Sequence, residues 1–164
     1  MRRGTIAALA AAALVVACQP AALTDADRAA IEEEITQLYT EQSAAINAAD
    51  AEAWLAFFEP GDDFLMAYHG ELQDWAAIEA SAAEMFEGTT EIRFRWLEDH
   101  VQILSRDIAI VTSLWDWSSA GPDGVVEADA GTWTVALVKK DGAWKIANAS
   151  ETLPEADHDE NDDD

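Results

Sequence analysis

The sequence predicts an α+β fold, with helices first and a mostly antiparallel sheet after them, the N-terminal helices packed on one face of a curved sheet. Three observations predict it. From Ile31 to Phe86 the apolar residues recur largely at three- and four-residue spacing, as on helices with one buried face. Beyond Gly88 the spacing becomes two, the period of strands. Pro60-Gly61, Gly88 and Asp141-Gly142 mark breaks between segments.

Thr24-Asp25-Ala26-Asp27 has the form of a capping box, which opens a long helix. Ile31, Ile35, Leu38, Gln42, Ala45, Ile46 and Ala49 form its apolar stripe. Asp50 caps a shorter helix carrying Trp54, Phe57 and Phe58, which Pro60-Gly61 ends. A first strand is expected within 62–70, around Phe64 to Tyr68, and Asp74 caps a third helix through Phe86. In the next strand, 90–104, Ile92, Phe94 and Trp96 share one parity while Leu97, Val101 and Ile103 share the other, so a bulge or bend is expected between them. Strands over 108–118, 125–139 and 144–152 complete the sheet, and Asp141-Gly142 suits a tight hairpin between the last two.

The chain has 164 residues, 33 Asp plus Glu against 9 Lys plus Arg, and one cysteine. One domain is expected from that length, and a lone cysteine excludes an internal disulfide. Nucleic acid is excluded as a partner, because binding it needs Lys and Arg to displace counterions and the net charge is -24. Residues 154–164 form an acidic tail expected to be disordered through self-repulsion.

Arg2 and Arg3 precede an apolar run from Ile6 to Ala17, the layout of a secretory signal over residues 1–17 and too short to span a bilayer. The run ends in Val15-Val16-Ala17-Cys18, which resembles the lipobox of bacterial lipoproteins. That resemblance implies a lipid on Cys18, a tether over 18–23 and a bacterial envelope location, with Gln19 favouring the outer membrane facing the periplasm.

Three stretches carry a wider likeness. Ala45 to Trp54 resembles an "A-x-x-x-x-D-x-E-A" helix junction, Asp107 to Thr112 a "D-x-A-x-V-T" strand start, and Lys140 to Ile146 an "x-D-G-x-W-K-I" hairpin. In that order they resemble the nuclear transport factor 2-like superfamily, and within it the SnoaL-like and ketosteroid isomerase-like domains, over residues 24–153. The resemblance implies a conical pocket between helices and sheet, in a homodimer paired through the sheet. It implies no single activity, because one fold hosts many functions.

Against the isomerase pattern the chain departs at each catalytic position. A steroid isomerase needs a carboxylate base, a tyrosine and a protonated acid; here Gln42 stands in the tyrosine's place, Ala67-Tyr68-His69 holds no acid, and Thr134-Val135-Ala136 lacks the donor. Asn148 and Ser150 stand where related domains place histidines. Two acid–base candidates remain. His100 lies beside Glu98 and Asp99, and Asp116 lies between Trp115 and Trp117, where an inward orientation raises a carboxyl pKa. For both, the alternative is a solvated surface position.

Gln42, Trp54, Phe58, Tyr68, Trp96, Trp115, Trp117, Trp133 and Asn148 are the expected lining of an apolar pocket with a few polar groups. No metal or cofactor motif is present; the tail segment from Asp157 to Asp162 lacks the glycine that a calcium loop requires. The expected function is a lipid-anchored envelope domain that binds a small hydrophobic molecule. A SnoaL-like cyclase, isomerase or hydrolase using Asp116 or His100, and a structural dimeric module, are the alternatives.

Overall fold

The computed structural model describes residues 22–153, apart from 69 and 88–90. The expected signal, Cys18, His69 and the acidic tail lie outside the described residues. The element order is α1 (Asp25–Asn47), α2 (Ala51–Leu55), β1 (Leu65–Tyr68), β2 (Glu71–Asp74), α3 (Trp75–Phe86), β3 (Glu91–Ile103), β4 (Ile108–Ala120), β5 (Val126–Lys140) and β6 (Ala143–Thr152).

The start of α1 is the expected capping box. The Thr24 hydroxyl accepts from the Asp27 N–H at 3.1 Å, and the Asp27 carboxylate accepts from the Thr24 N–H at 2.9 Å. The helix ends in a Schellman turn: the Ala49 N–H donates to the Ile46 carbonyl and the Asp50 N–H to that of Ala45. Such a turn needs a left-handed residue, and Ala49 takes that role with φ 54°, so it leaves the helical stripe on which its spacing had placed it. Asp50 and Asp74 cap α2 and α3 as the sequence predicts, accepting from the N–H groups of Ala53 and Ala77, each at 2.9 Å.

The sheet has six strands in the order β2-β1-β6-β5-β4-β3. All pairs are antiparallel except β1 with β6. The parity switch in β3 is a register shift between Trp96 and Glu98, which turns both Trp96 and Val101 toward the interior. A second shift in β5–β6 falls between Ala136 and Leu137. Asp141 and Gly142, at φ 51° and 84°, form the hairpin between these strands, the two left-handed positions that a type I′ turn requires. The short strand β2 has no counterpart among the sequence-based elements; its four residues pair only with β1, and nothing in Glu71-Leu72-Gln73-Asp74 alternates clearly.

The helices cover one face of the sheet, with α1 packed chiefly on β3. Ile31, Ile35, Leu38 and Ile46 of α1 meet Val111, Val135, Leu137 and Ile146 of the sheet in one core. Burying each such side chain contributes about 1.5–3 kcal/mol. Tyr39, absent from the predicted stripe, is also buried and packs at a tilt against Trp96 with ring centroids 4.7 Å apart.

Candidate functional site

Alternation along the long strands fixes what enters the cone. Ala109, Val111, Ser113 and Trp115 of β4 are buried and inward, and Trp117 follows on the same side. On β5 the inward row is Asp129, Gly131, Trp133, Val135 and Leu137, in register with it. Gly131 lies opposite Trp115, and a Cβ there would stand 2.8 Å from the indole and 2.6 Å from the Thr152 carbonyl oxygen. The missing side chain is what lets Trp115 lie across β5.

Where the core stops, toward α3 and the C-terminal end of β6, a cavity of about 320 Å³ remains. Gln42, Trp54, Met66, Ile78, Trp115 and Trp133 form its buried floor, with Phe94 and Trp96 of β3 on one wall. Phe94 meets Trp96 edge-on at 4.7 Å and stacks on Trp115 at 6.1 Å. Asn47 fixes that wall to the end of α1, because its amide donates to the Phe94 carbonyl at 3.0 Å and accepts from the Phe94 N–H at 2.7 Å. Tyr68, Gln73, Met85, Trp117, Asp129, Glu151 and Leu153 border the more accessible side.

Seven of the nine expected lining residues are brought together: Gln42, Trp54, Tyr68, Trp96, Trp115, Trp117 and Trp133. Two expectations are corrected. Phe58 is core behind the cavity, 1% exposed and edge-on to Trp54 at 4.7 Å. Asn148 faces the outer side of the sheet, where its amide donates to the Leu65 carbonyl at 2.7 Å.

The acid–base expectations are corrected as well. Because Trp115 and Trp117 both turn inward, Asp116 must turn outward, and it binds the Arg95 guanidinium, with Nε 2.9 Å from Oδ1. His100 is exposed and pairs across the strands with Thr112, itself exposed between buried Val111 and Ser113. The basic side chains also turn elsewhere. Arg93 pairs with Glu91, Lys139 with Glu34 and Lys140 with Glu59, while Lys145 donates to the Ala56 carbonyl.

The acids that do border the cavity, Asp129 and Glu151, were missed. Burial, and then the nearby Asp129 charge, push the Glu151 carboxyl up to about 7. Tyr68 is likewise raised, by burial first and then by the charges of Glu151 and Asp129, so the three groups form one electrostatic unit. A sequence signal for Asp129 existed, since it shares the parity of Trp133, Val135 and Leu137. Glu151 lies in the last expected strand, close to the acidic tail, and is a β6 residue in register with Trp133.

Several polar atoms in the wall have no hydrogen-bond partner: Gln42 Oε1 and the indole Nε1 atoms of Trp96, Trp115 and Trp133. A buried polar group left in that state costs about 1–3 kcal/mol, which a complementary ligand or water recovers. No cluster of three or more His, Cys, Asp or Glu suited to a metal is found among the described residues, and none of their helices is long and apolar enough to cross a membrane.

Residues 35–154 match the family model described as the SnoaL-like domain. The chain belongs to the SnoaL-like family. Solved structures of nuclear transport factor 2-like proteins share the fold of this SnoaL-like domain. A superfamily protein from Salmonella enterica serovar Typhimurium superposes with a TM-score of 0.69 at 14% identity, over 82% of this chain and 98% of its own. A candidate scytalone dehydratase from Novosphingobium aromaticivorans gives 0.72 at 14% identity, over 80% of this chain and 89% of its own. A hexachlorocyclohexane dehydrochlorinase gives 0.65 at 16% identity, over 79% and 89%. No curated protein gives a significant match to the SnoaL-like sequence.

Proposed function

We propose that this SnoaL-like domain binds a small, largely apolar organic molecule in the cavity between α3 and the concave face of the sheet. The observation that carries the reading is the lining itself: five indoles, Tyr68, Phe86 and Phe94 around about 320 Å³, with a small number of polar groups among them. That composition and size suit a one- or two-ring ligand. Saturable quenching of tryptophan fluorescence by one-ring probes tests it. A plug at Ser81, a half-buried lining position on α3, should remove the binding in a folded S81F variant. Failure of every probe to saturate overturns the reading.

A second reading is catalytic. It is favoured by one observation, a carboxyl with a pKa near neutrality in an aromatic cavity, which suits a general acid or base at Glu151. Structural neighbours bearing the names of a dehydratase and a dehydrochlorinase support a proton-transfer role. Turnover that survives Glu151→Gln would exclude that residue as the base.

The lipid anchor at Cys18 and the envelope location belong to the proposal on sequence support alone. Labelled palmitate should enter the wild-type chain in a bacterial host and fail to enter Cys18→Ser.

A further inference from the structure

We infer that the cavity selects an uncharged ring ligand that carries a hydrogen-bond donor beside an acceptor, as a lactam does, and that Gln42 is the residue that reads the donor. The inference deepens the ligand-binding reading and rests on it.

Gln42 is the first argument. It stands in the buried stripe of α1 between Leu38 and Ala45, is 1% exposed and lines the cavity, yet its Oε1 accepts no hydrogen bond. A leucine would fill about the same space without leaving a polar atom unmatched, so packing alone gives no reason for an amide at this position. The unmatched atom is an acceptor, and only an N–H or O–H inside the cavity satisfies it. The last torsion of a glutamine side chain is soft, so the amide can turn to meet such a group.

The sheet side supplies the second argument. Trp96, Trp115 and Trp133 line the same cavity, and the Nε1 atom of each is buried and donates to nothing. An indole nitrogen can only donate, so its match is an acceptor on the ligand. The three rings are neighbours: Trp96 of β3 is the cross-strand partner of Trp115, and Trp133 lies on β5 two residues beyond Gly131, which is opposite Trp115.

The α1 side therefore lacks a donor and the sheet side lacks an acceptor. A hydrocarbon answers neither. A carboxylate suits the indoles but brings negative charge toward Gln42 Oε1, with no Lys, Arg or His in the lining among the described residues to offset it. An ammonium suits Gln42 and offers the indoles nothing. A ligand with an N–H next to a carbonyl answers both sides at once, with its N–H toward α1 and its carbonyl toward the sheet.

Three probes share a two-ring outline and separate these terms. 2-Quinolone has the N–H and the carbonyl, coumarin replaces the N–H by a ring oxygen and keeps the carbonyl, and naphthalene has neither. Calorimetry and equilibrium dialysis on the purified protein should show 2-quinolone binding at least about tenfold tighter than coumarin, a factor that corresponds to 1.4 kcal/mol. In Gln42→Leu that ratio should fall toward one while naphthalene still binds.

A spectroscopic measurement on the unaltered protein guards against a variant that does not fold. The infrared carbonyl stretch of bound 2-quinolone should lie below its value in an aprotic solvent, as it does for a carbonyl that accepts from N–H donors. Coumarin binding as tightly as 2-quinolone, a ratio unchanged in a folded Gln42→Leu, or an unshifted carbonyl stretch overturns the inference and leaves the ligand-binding reading standing. If none of the three probes saturates, both fall.

Discussion

Burial among the indoles keeps the Glu151 carboxyl protonated up to about pH 7, against 4.5 for an ordinary glutamate, and this ties the side chain to stability. Between those values the folded chain holds a proton that the unfolded chain has lost. Stability therefore falls as pH rises from 4.5 to 7, by at most about 1.4 kcal/mol per unit, and levels off above. Glu34, bound by Lys139 and by the Trp144 indole N–H, has the opposite sign: its pKa is lowered, so its contribution is present above 4.5 and lost as pH falls further. The windows do not overlap. Urea unfolding of Glu151→Gln should show a variant more stable than the parent above pH 7, with the difference vanishing near pH 4.5; a constant difference would argue against the burial account. At Gly131 the expectation is steric. Gly131→Ala puts a methyl group against both Trp115 and the Thr152 carbonyl, and overpacking of that kind costs about 1–3 kcal/mol. Denaturation midpoints should fall, and probe affinity should fall with them, because the displaced indole forms the cavity floor.

Local chemistry made most of the elements legible. A capping box at Thr24, aspartates at 50 and 74, the Asp141-Gly142 turn and the parity switch after Trp96 each act within a few residues, so the sequence shows them directly. What escaped depends on partners far along the chain. β2 exists only because β1 offers it an edge, and the inward face of β4 was ambiguous because Ile110 and Leu114 on one side are as apolar as Val111 and Trp115 on the other. The acids follow the same rule: Asp116 is set outward by the inward turn of Trp115 and Trp117 and there meets Arg95, and Glu151 comes to the cavity through the register of β6 with Trp133 on β5. The junction of α1 and α2 yields a prediction at this scale. Ala49 occupies a left-handed position in which an L-residue bears about 1 kcal/mol of strain or more. Ala49→Gly relieves that strain for the loss of one half-buried methyl group, so its melting temperature should rise, whereas Ala49→Val should lower it.

At the scale of the molecule, the outer face of the sheet carries Ile108, 45% exposed, and Leu114, 42% exposed, with Leu97 and Leu104 more open still near the edge strand. Scattered exposed leucines are common, but apolar residues aligned along one strand of the outer face suit association. We expect two copies to pair through this face, giving a dimer mass by light scattering that Leu114→Glu converts to a monomer. A monomer in the parent chain at micromolar concentration counts against the pairing.

The strand order bears on how the domain is assembled. β1 meets its central neighbour only by lying parallel to β6, with Leu65 opposite Asn148, and the Phe58–Ile146 bridge extends that contact toward α2. Closing so long a loop is entropically expensive, and contacts of this separation form late in folding. On the ribosome, the segment up to Lys140 can zip β3, β4 and β5 together, yet β1 and β2 have no edge to join until Ala143–Thr152 has been made. The cavity is accordingly the last part of the domain to come into being, and a nascent chain stalled before its final strand exposes the very indoles that the finished protein encloses.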